Sequence, residues 1–302
     1  MTPRATALAA SALIINAFIW GVSWWPFRQL QNLGLHPLWA TAAVYLLVFA
    51  VLLAYFGGHQ LKAFTAHPAL WGLALASGLT NVGFNWAVTV GDVLRVVLLF
   101  YLMPAWSVLV AWVLLGEKPT GASLLRLLLA MAGVWVVLKT PDSPWPLPQS
   151  GADYLALLGG LSFAITNALL RRCNAAPGGA RMLAMFGGGA LLASGVALLG
   201  MAQQVVPVPA LQAAGWPVLL ALSVGFLISN AALQYGAARL AASTTALVML
   251  TEILFASASS AVLGAAAFTP RLLMGGSLIM LAALLAALAP SNGTDTGKAQ
   301  TH

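Results

Sequence analysis

TPDSPWPLPQSG, residues Thr140 to Gly151, decides how the chain divides: its four prolines in twelve residues remove the amide donors that a helix needs. The stretch reads as an extended tether. On either side of it the sequence consists of mainly apolar runs separated by short polar breaks, and a run of about 20 such residues crosses a bilayer as a helix. Five runs precede the tether, at 8–28, 37–56, 68–89, 93–115 and 121–139. Five follow it, at 153–171, 181–201, 214–236, 243–264 and 270–289. The expected fold is an all-α membrane protein of ten transmembrane helices. Residues 1–139 and 153–289 form two five-helix units, 140–152 links them, and 290–302 is a disordered polar tail.

Composition agrees. Of 302 residues 61% are hydrophobic and 6% charged, with a mean hydropathy of +0.93; soluble domains carry about a quarter charged residues. The formal charge of +7 comes from Lys and Arg scattered singly, with no basic stripe for a nucleic acid. Cys173 is the one cysteine, which excludes an intramolecular disulfide and reads as a small packing residue. Arg4 precedes an apolar run in the manner of a signal peptide. The run continues through Trp20, Trp24 and Trp25 without a small-residue cleavage site, so it reads as the first helix.

Alternate loops differ in charge. Arg4, Lys62, Lys118, Arg126, Arg171, Arg172, Arg181, Arg239 and Lys298 fall on one side, against Arg28, Arg95, Lys139 and Arg271 on the other. The positive-inside bias then puts both termini in the cytoplasm of a cell whose inner membrane holds the chain. A shift of 149 positions brings Asn81 onto Asn230, Asn85 onto Gln234 and Trp86 onto Tyr235; a shift of 148 brings Leu115 and Gly116 onto Leu263 and Gly264. Two repeated units of five helices must lie in opposite orientations, the inverted-repeat design of secondary transporters with a central cavity between the halves.

Few polar groups fall inside the runs. Glu252 is the one acid in the middle of an expected helix, on a face with Thr245, Val248 and Ser259. Two roles stand for it: a partner for a substrate ammonium or a proton, or a protonated hydrogen-bonding link between helices. Asn81 and Asn85 are four apart on the third helix, as Asn230 and Gln234 are on the eighth, so each amide pair projects from one face. Amides donate and accept, which suits a zwitterionic or polyhydroxylated solute as well as interhelical bonding. Pro104 should kink the fourth helix, as a gating bend or a structural one, with Tyr101 one turn before it. Asn16, Trp20 and Ser23 follow one helical stripe and Phe163 and Asn167 another, while Trp86 accompanies the third-helix amides. Aromatic walls of this kind suit an apolar side chain. Ala256 to Ala261 are small residues for close helix packing.

Several classes drop out. The sequence has no GxxxxGK followed by Ser or Thr for direct ATP coupling and no HExxH for zinc proteolysis. It offers no intramembrane His to activate a serine, so neither an enzyme nor a cofactor is expected. A ring of charge or a filter-like polar loop for a channel is also missing.

Three stretches carry a family resemblance: IWGVSW with Trp20 and Gly21, YLMPAWSVLVAWVLLGEK with Pro104, Gly116 and Glu117, and LLLAMAGVWVVL. Together they resemble the drug/metabolite transporter superfamily, specifically its ten-helix, EamA-like branch. Within it the chain is most similar to bacterial exporters of aromatic and other neutral amino acids. That resemblance implies export of a small organic solute by alternating access, with sugars, drug-like solutes or a non-transporting scaffold role as alternatives. It implies that Tyr101 and Phe163 line a cavity. The second half departs from the pattern, since Ala265 follows Gly264 where Glu117 follows Gly116, and Glu252 stands where Pro104 would be matched. Taken with the residue readings above, the expected substrate contacts are Glu252, Asn81, Asn85, Trp86, Tyr101, Asn230, Gln234, Trp20 and Phe163.

Overall fold

The computed structural model describes residues 3–116, 119–139, 147–173, 175–237, 239, 248–249, 251–265 and 268–287. Glu117, Thr245, residues 140–146 of the linker and the expected tail lie outside them. Every regular element among the described residues is helical. The order is α1 (Pro3–Val22), α2 (Trp24–Asn32), α3 (Pro37–Phe56), a 3-10 turn (Gly58–Lys62), α4 (Ala63–Ala66), α5 (Ala69–Val90), α6 (Val93–Phe100), α7 (Met103–Leu115) and α8 (Gly121–Leu138). After the linker come α9 (Gly151–Arg172), α10 (Gly178–Ala202), α11 (Gly215–Ala237), α12 (Thr251–Val262) and α13 (Pro270–Ala287).

Among the described residues six stretches are long and apolar enough to cross a membrane: Arg4–Asn32, Pro37–Phe56, Val93–Val110, Gly151–Leu170, Gly178–Ala202 and Gly215–Gly236. Shorter apolar helices occupy Leu124–Val137 and Pro270–Ala282. In α5, as long as these, Ser77, Thr80, Asn81, Asn85 and Thr89 are all buried. The outer surface shows the opposite character, with Tyr55 81%, Val113 78% and Val262 84% exposed. Apolar side chains outside and amides within are what a hydrocarbon solvent selects.

Two expected helices are interrupted. The first breaks at Ser23, whose hydroxyl and amide both donate to the Trp20 carbonyl at 2.8 and 3.2 Å. The fourth breaks at Tyr101 and Leu102, one turn ahead of Pro104, since proline cannot donate to the carbonyl four residues earlier. At the far ends of α7 and α12, Gly116 and Gly264 adopt φ of +70° and +63°. Such a left-handed residue closes a helix at little cost only when it is glycine.

Helix starts are built from local hydrogen bonds. His36 Nδ1 accepts from the Leu38 amide at 3.2 Å ahead of Pro37, and burial pushes its imidazole below the ordinary histidine value, which keeps that nitrogen free to accept. Asp92 accepts from the Arg95 amide at 2.8 Å to start α6. Ser150 Oγ accepts from the Asp153 amide at 3.2 Å, and Asp153 reaches back to the Gln149 amide at 2.9 Å.

Asp153 does more than cap. Arg95 Nε and Nη2 donate to its two carboxylate oxygens at 2.8 Å each, and Arg95 Nη1 donates to the Val137 carbonyl at 2.9 Å. This forked pair ties α6, the end of α8 and the start of α9 together. Asp153→Ala leaves the guanidinium without its carboxylate in a largely buried setting, which should cost about 3 kcal/mol. The expected result is a clear fall in the melting temperature of the detergent-solubilised protein, with Asp153→Asn intermediate.

Helix neighbours follow a pattern. α5 packs on α9 and α10, α3 on α10, α8 on α13, α1 on α11 and α12, and both α6 and α7 on α9.

Candidate functional site

Between these helices lies a cavity lined from α1, α3, α5, α9, α10 and α11 and from the segments around Tyr101 and Glu252. Its atom-free space, open side included, is about 830 Å³. Its wall is mostly aromatic, and the rings touch in sequence. Phe163 meets Phe100 with centroids 5.6 Å apart, Phe100 meets Phe84 at 4.6 Å, and Phe84 meets Trp20 at 5.8 Å. Trp20 stacks on Phe226 at 4.7 Å, Phe226 meets Tyr45 at 5.8 Å, and Tyr45 meets Phe186 at 5.3 Å. The result is a continuous apolar belt in which Trp20 packs against both of the large buried clusters.

Polar atoms interrupt the belt at a few places. Tyr45 Oη donates to Asn81 Oδ1 at 2.6 Å, which fixes the amide and leaves Asn81 Nδ2 without an acceptor among the described residues. Gln234 Nε2 donates to Asn230 Oδ1 at 2.9 Å, which leaves Asn230 Nδ2 in the same condition. Asn16 Nδ2 donates to the Ser229 carbonyl at 2.9 Å and its hydroxyl at 2.6 Å. A carbonyl can only accept, so Asn16 Oδ1 must face the other way, and it is buried with no donor among the described residues. Thr80 and Thr166 donate to their own helices at 2.9 Å, to the Ala76 and Ser162 carbonyls.

Glu252, 5% exposed, is the acid of the cavity wall. Gly21 brings α1 against it: a Cβ there would lie 2.8 Å from the Glu252 carbonyl oxygen. The Tyr101 hydroxyl lies 2.9 Å from Glu252 Oε2 and 3.1 Å from the Met249 carbonyl, with one proton for the two acceptors. No Lys, Arg or His is among the lining residues. An ionised carboxylate buried without a cationic partner is costly, and a ligand ammonium or a proton each offsets that cost.

The first part of this arrangement, α1 to α8, has a counterpart among known sequence families. Residues 7–139 match the EamA-like transporter family. The likeness of this segment to a family of transporters, not enzymes, together with the apolar helices, suggests a multi-pass membrane transporter. One solved protein structure, 19% identical, superposes with a TM-score of 0.57 over 95% of this chain and 98% of its own, so the fold continues beyond the EamA-like domain. No curated protein matches the chain.

The cavity draws on both parts. Trp20, Asn81 and Tyr101 come from the EamA-like domain, while Phe163, Asn230 and Glu252 come from the remainder, and all six line the wall. Asn85, Trp86 and Gln234 are not among the lining residues. Asn85 Nδ2 reaches Thr41 Oγ1 at 3.3 Å, Trp86 lies edge-on to His36 at 5.4 Å, and Gln234 supports Asn230. Asn167 is exposed and Thr166 stands on the wall instead. Glu252 is the second residue of α12, with residues 240–247 and 250 outside the described ones. Sequence inspection alone passed over Tyr45, Phe84, Phe100 and Phe226. Of these Tyr45 had a signal, a hydroxyl in the middle of an apolar run. Trp20→Ala removes the ring that joins the two clusters, so binding of an aromatic solute should weaken about tenfold in equilibrium binding.

Proposed function

We propose that the chain is a secondary transporter of the bacterial inner membrane that exports small organic solutes with an apolar body and an amino group, aromatic and neutral amino acids first among them. The observation that carries the proposal is the cavity: among the described residues eight of its lining side chains are aromatic, its one carboxylate has no basic partner, and two amide nitrogens are uncommitted. The rings take the side chain, Glu252 takes the ammonium, and Asn81 and Asn230 donate to the carboxylate. Export follows the likeness of the fourth-helix stretch to amino acid exporters.

Transport by alternating access goes with ten helices arranged as two inverted five-helix units, both termini in the cytoplasm. Helix neighbours support the inversion. α5 lies on α9 as α11 lies on α1, α7 lies on α9 as α12 lies on α1, and α8 meets α13 as α3 meets α10. The paired left-handed glycines, Gly116 and Gly264, support the offset of 148. In such a repeat the substrate site sits between the units and rocking opens it to each face in turn. The break at Tyr101 and Leu102 is where bending would be absorbed.

Flux into liposomes carrying the purified chain tests this. Saturable movement of labelled phenylalanine or another neutral amino acid, above empty liposomes and competed by its relatives, is expected. Flux equal to empty liposomes across the neutral set would reject the amino acid assignment. A second reading, carriage of organic amines that lack a carboxylate, is favoured by the missing basic lining; such amines would then compete as well as the amino acids do.

A further inference from the structure

Hydrogen-bond donors are scarce around Glu252. Its Oε1 has no donor among the described residues, and its Oε2 shares the single Tyr101 proton with the Met249 carbonyl. Both side chains are buried, Tyr101 1% and Glu252 5% exposed, and both line the cavity, so the missing N–H or O–H must come from what enters the cavity, a solute or the water it displaces. An aromatic wall alone would recognise any organic cation, methylated or not, through the faces of its rings. The acceptor geometry asks for more than charge. It asks for N–H groups.

Resting on the amino-solute reading above, we infer that this end of the cavity selects primary ammonium groups over N-methylated ones. Three N–H donors are matched by three acceptors, Glu252 Oε1, Glu252 Oε2 and the Tyr101 hydroxyl oxygen. The Met249 carbonyl makes the third possible. Once a ligand N–H takes over Oε2, the Tyr101 proton goes wholly to Met249, and the lone pairs of the hydroxyl turn toward the ligand. Tyr101 is therefore a specificity residue and the Met249 main chain a positioning group. Each methyl added to the nitrogen deletes a donor and leaves one buried acceptor unpaired, a loss that apolar contact does not restore.

Equilibrium binding to the full-length chain in detergent at pH 7, with phenethylamine and its N-methyl, N,N-dimethyl and N,N,N-trimethyl analogues, tests the inference. All four carry the same ring and a positive charge. Affinity is expected to fall with each methyl, at least tenfold across the series. Tyr101→Phe should shrink the primary-to-quaternary ratio severalfold while leaving the trimethyl compound within about twofold, whereas a merely structural loss would weaken all four alike. A trimethyl compound that binds wild type as tightly as phenethylamine overturns the inference alone and makes the rings the sole recognition element. Failure of all four to bind while phenylalanine binds overturns this inference alone; failure of phenylalanine as well overturns the amino-solute reading with it. The wild-type series decides between these outcomes even if the variant does not fold.

Discussion

Glu252→Gln lowers solute flux about a hundredfold while the protein remains folded. Glutamine keeps an acceptor for the Tyr101 hydroxyl, which now lies 2.9 Å from Oε2, and nearly the same volume. What it removes is the negative charge that the proposed substrate's ammonium would face, in a cavity whose described lining holds no basic side chain. Losing one member of a buried charge pair costs about 2–5 kcal/mol, and about 1.4 kcal/mol is a factor of ten. Transport in liposomes beside a melting curve separates the two effects. Flux within threefold of wild type would leave Glu252 as a hydrogen-bonded link between α12 and Tyr101.

Gly188→Ala is expected to be nearly as damaging, for a different reason. α5 and α10 approach main chain to main chain, and a Cβ on Gly188 would fall on the Ala74 carbonyl oxygen, inside van der Waals contact. Its counterpart Gly78 faces the Gly188 carbonyl in the same way. Carbonyls in a helix have no rotamer with which to yield, so the helices must separate, at a cost of about 3 kcal/mol. The contact lies beside Ser77 and Met185 of the cavity wall, so transport should fall along with stability. Gly195 on the same helix is the control, because nothing lies within 4 Å of its added Cβ. Gly195→Ala should be neutral or stabilising by up to about 1 kcal/mol. Equal melting temperatures for the two variants would contradict the packing described here.

The contrast marks what a sequence can disclose. Runs of apolar residues announce the helices because hydrocarbon forces every backbone hydrogen bond to close within its own segment. Glu252, Asn81 and Asn230 were legible for the converse reason, polar groups being costly in such runs. Their neighbours were not. Asn85 is one turn from Asn81, yet that turn carries it to Thr41 on α3 and away from the cavity wall. The choice between Asn167 and Thr166 is one residue, or about 100° of helix rotation. An aromatic residue in an apolar run reads the same facing lipid or cavity, so Phe84, Phe100 and Phe226 emerge only from packing. Pro104 pointed to a bend near Tyr101 because the hydrogen bond it lacks belongs to the preceding turn, and the helix is interrupted there.

The most direct measurement is two-sided accessibility of the cavity. Cys173→Ser removes the one native cysteine, and Thr166→Cys places a thiol of similar size on the wall. Right-side-out and inside-out vesicles are then exposed to a membrane-impermeant thiol reagent with and without a neutral amino acid. Alternating access predicts labelling from both sides, slowed by the amino acid in each case; labelling from one side only, unchanged by any solute, would contradict it.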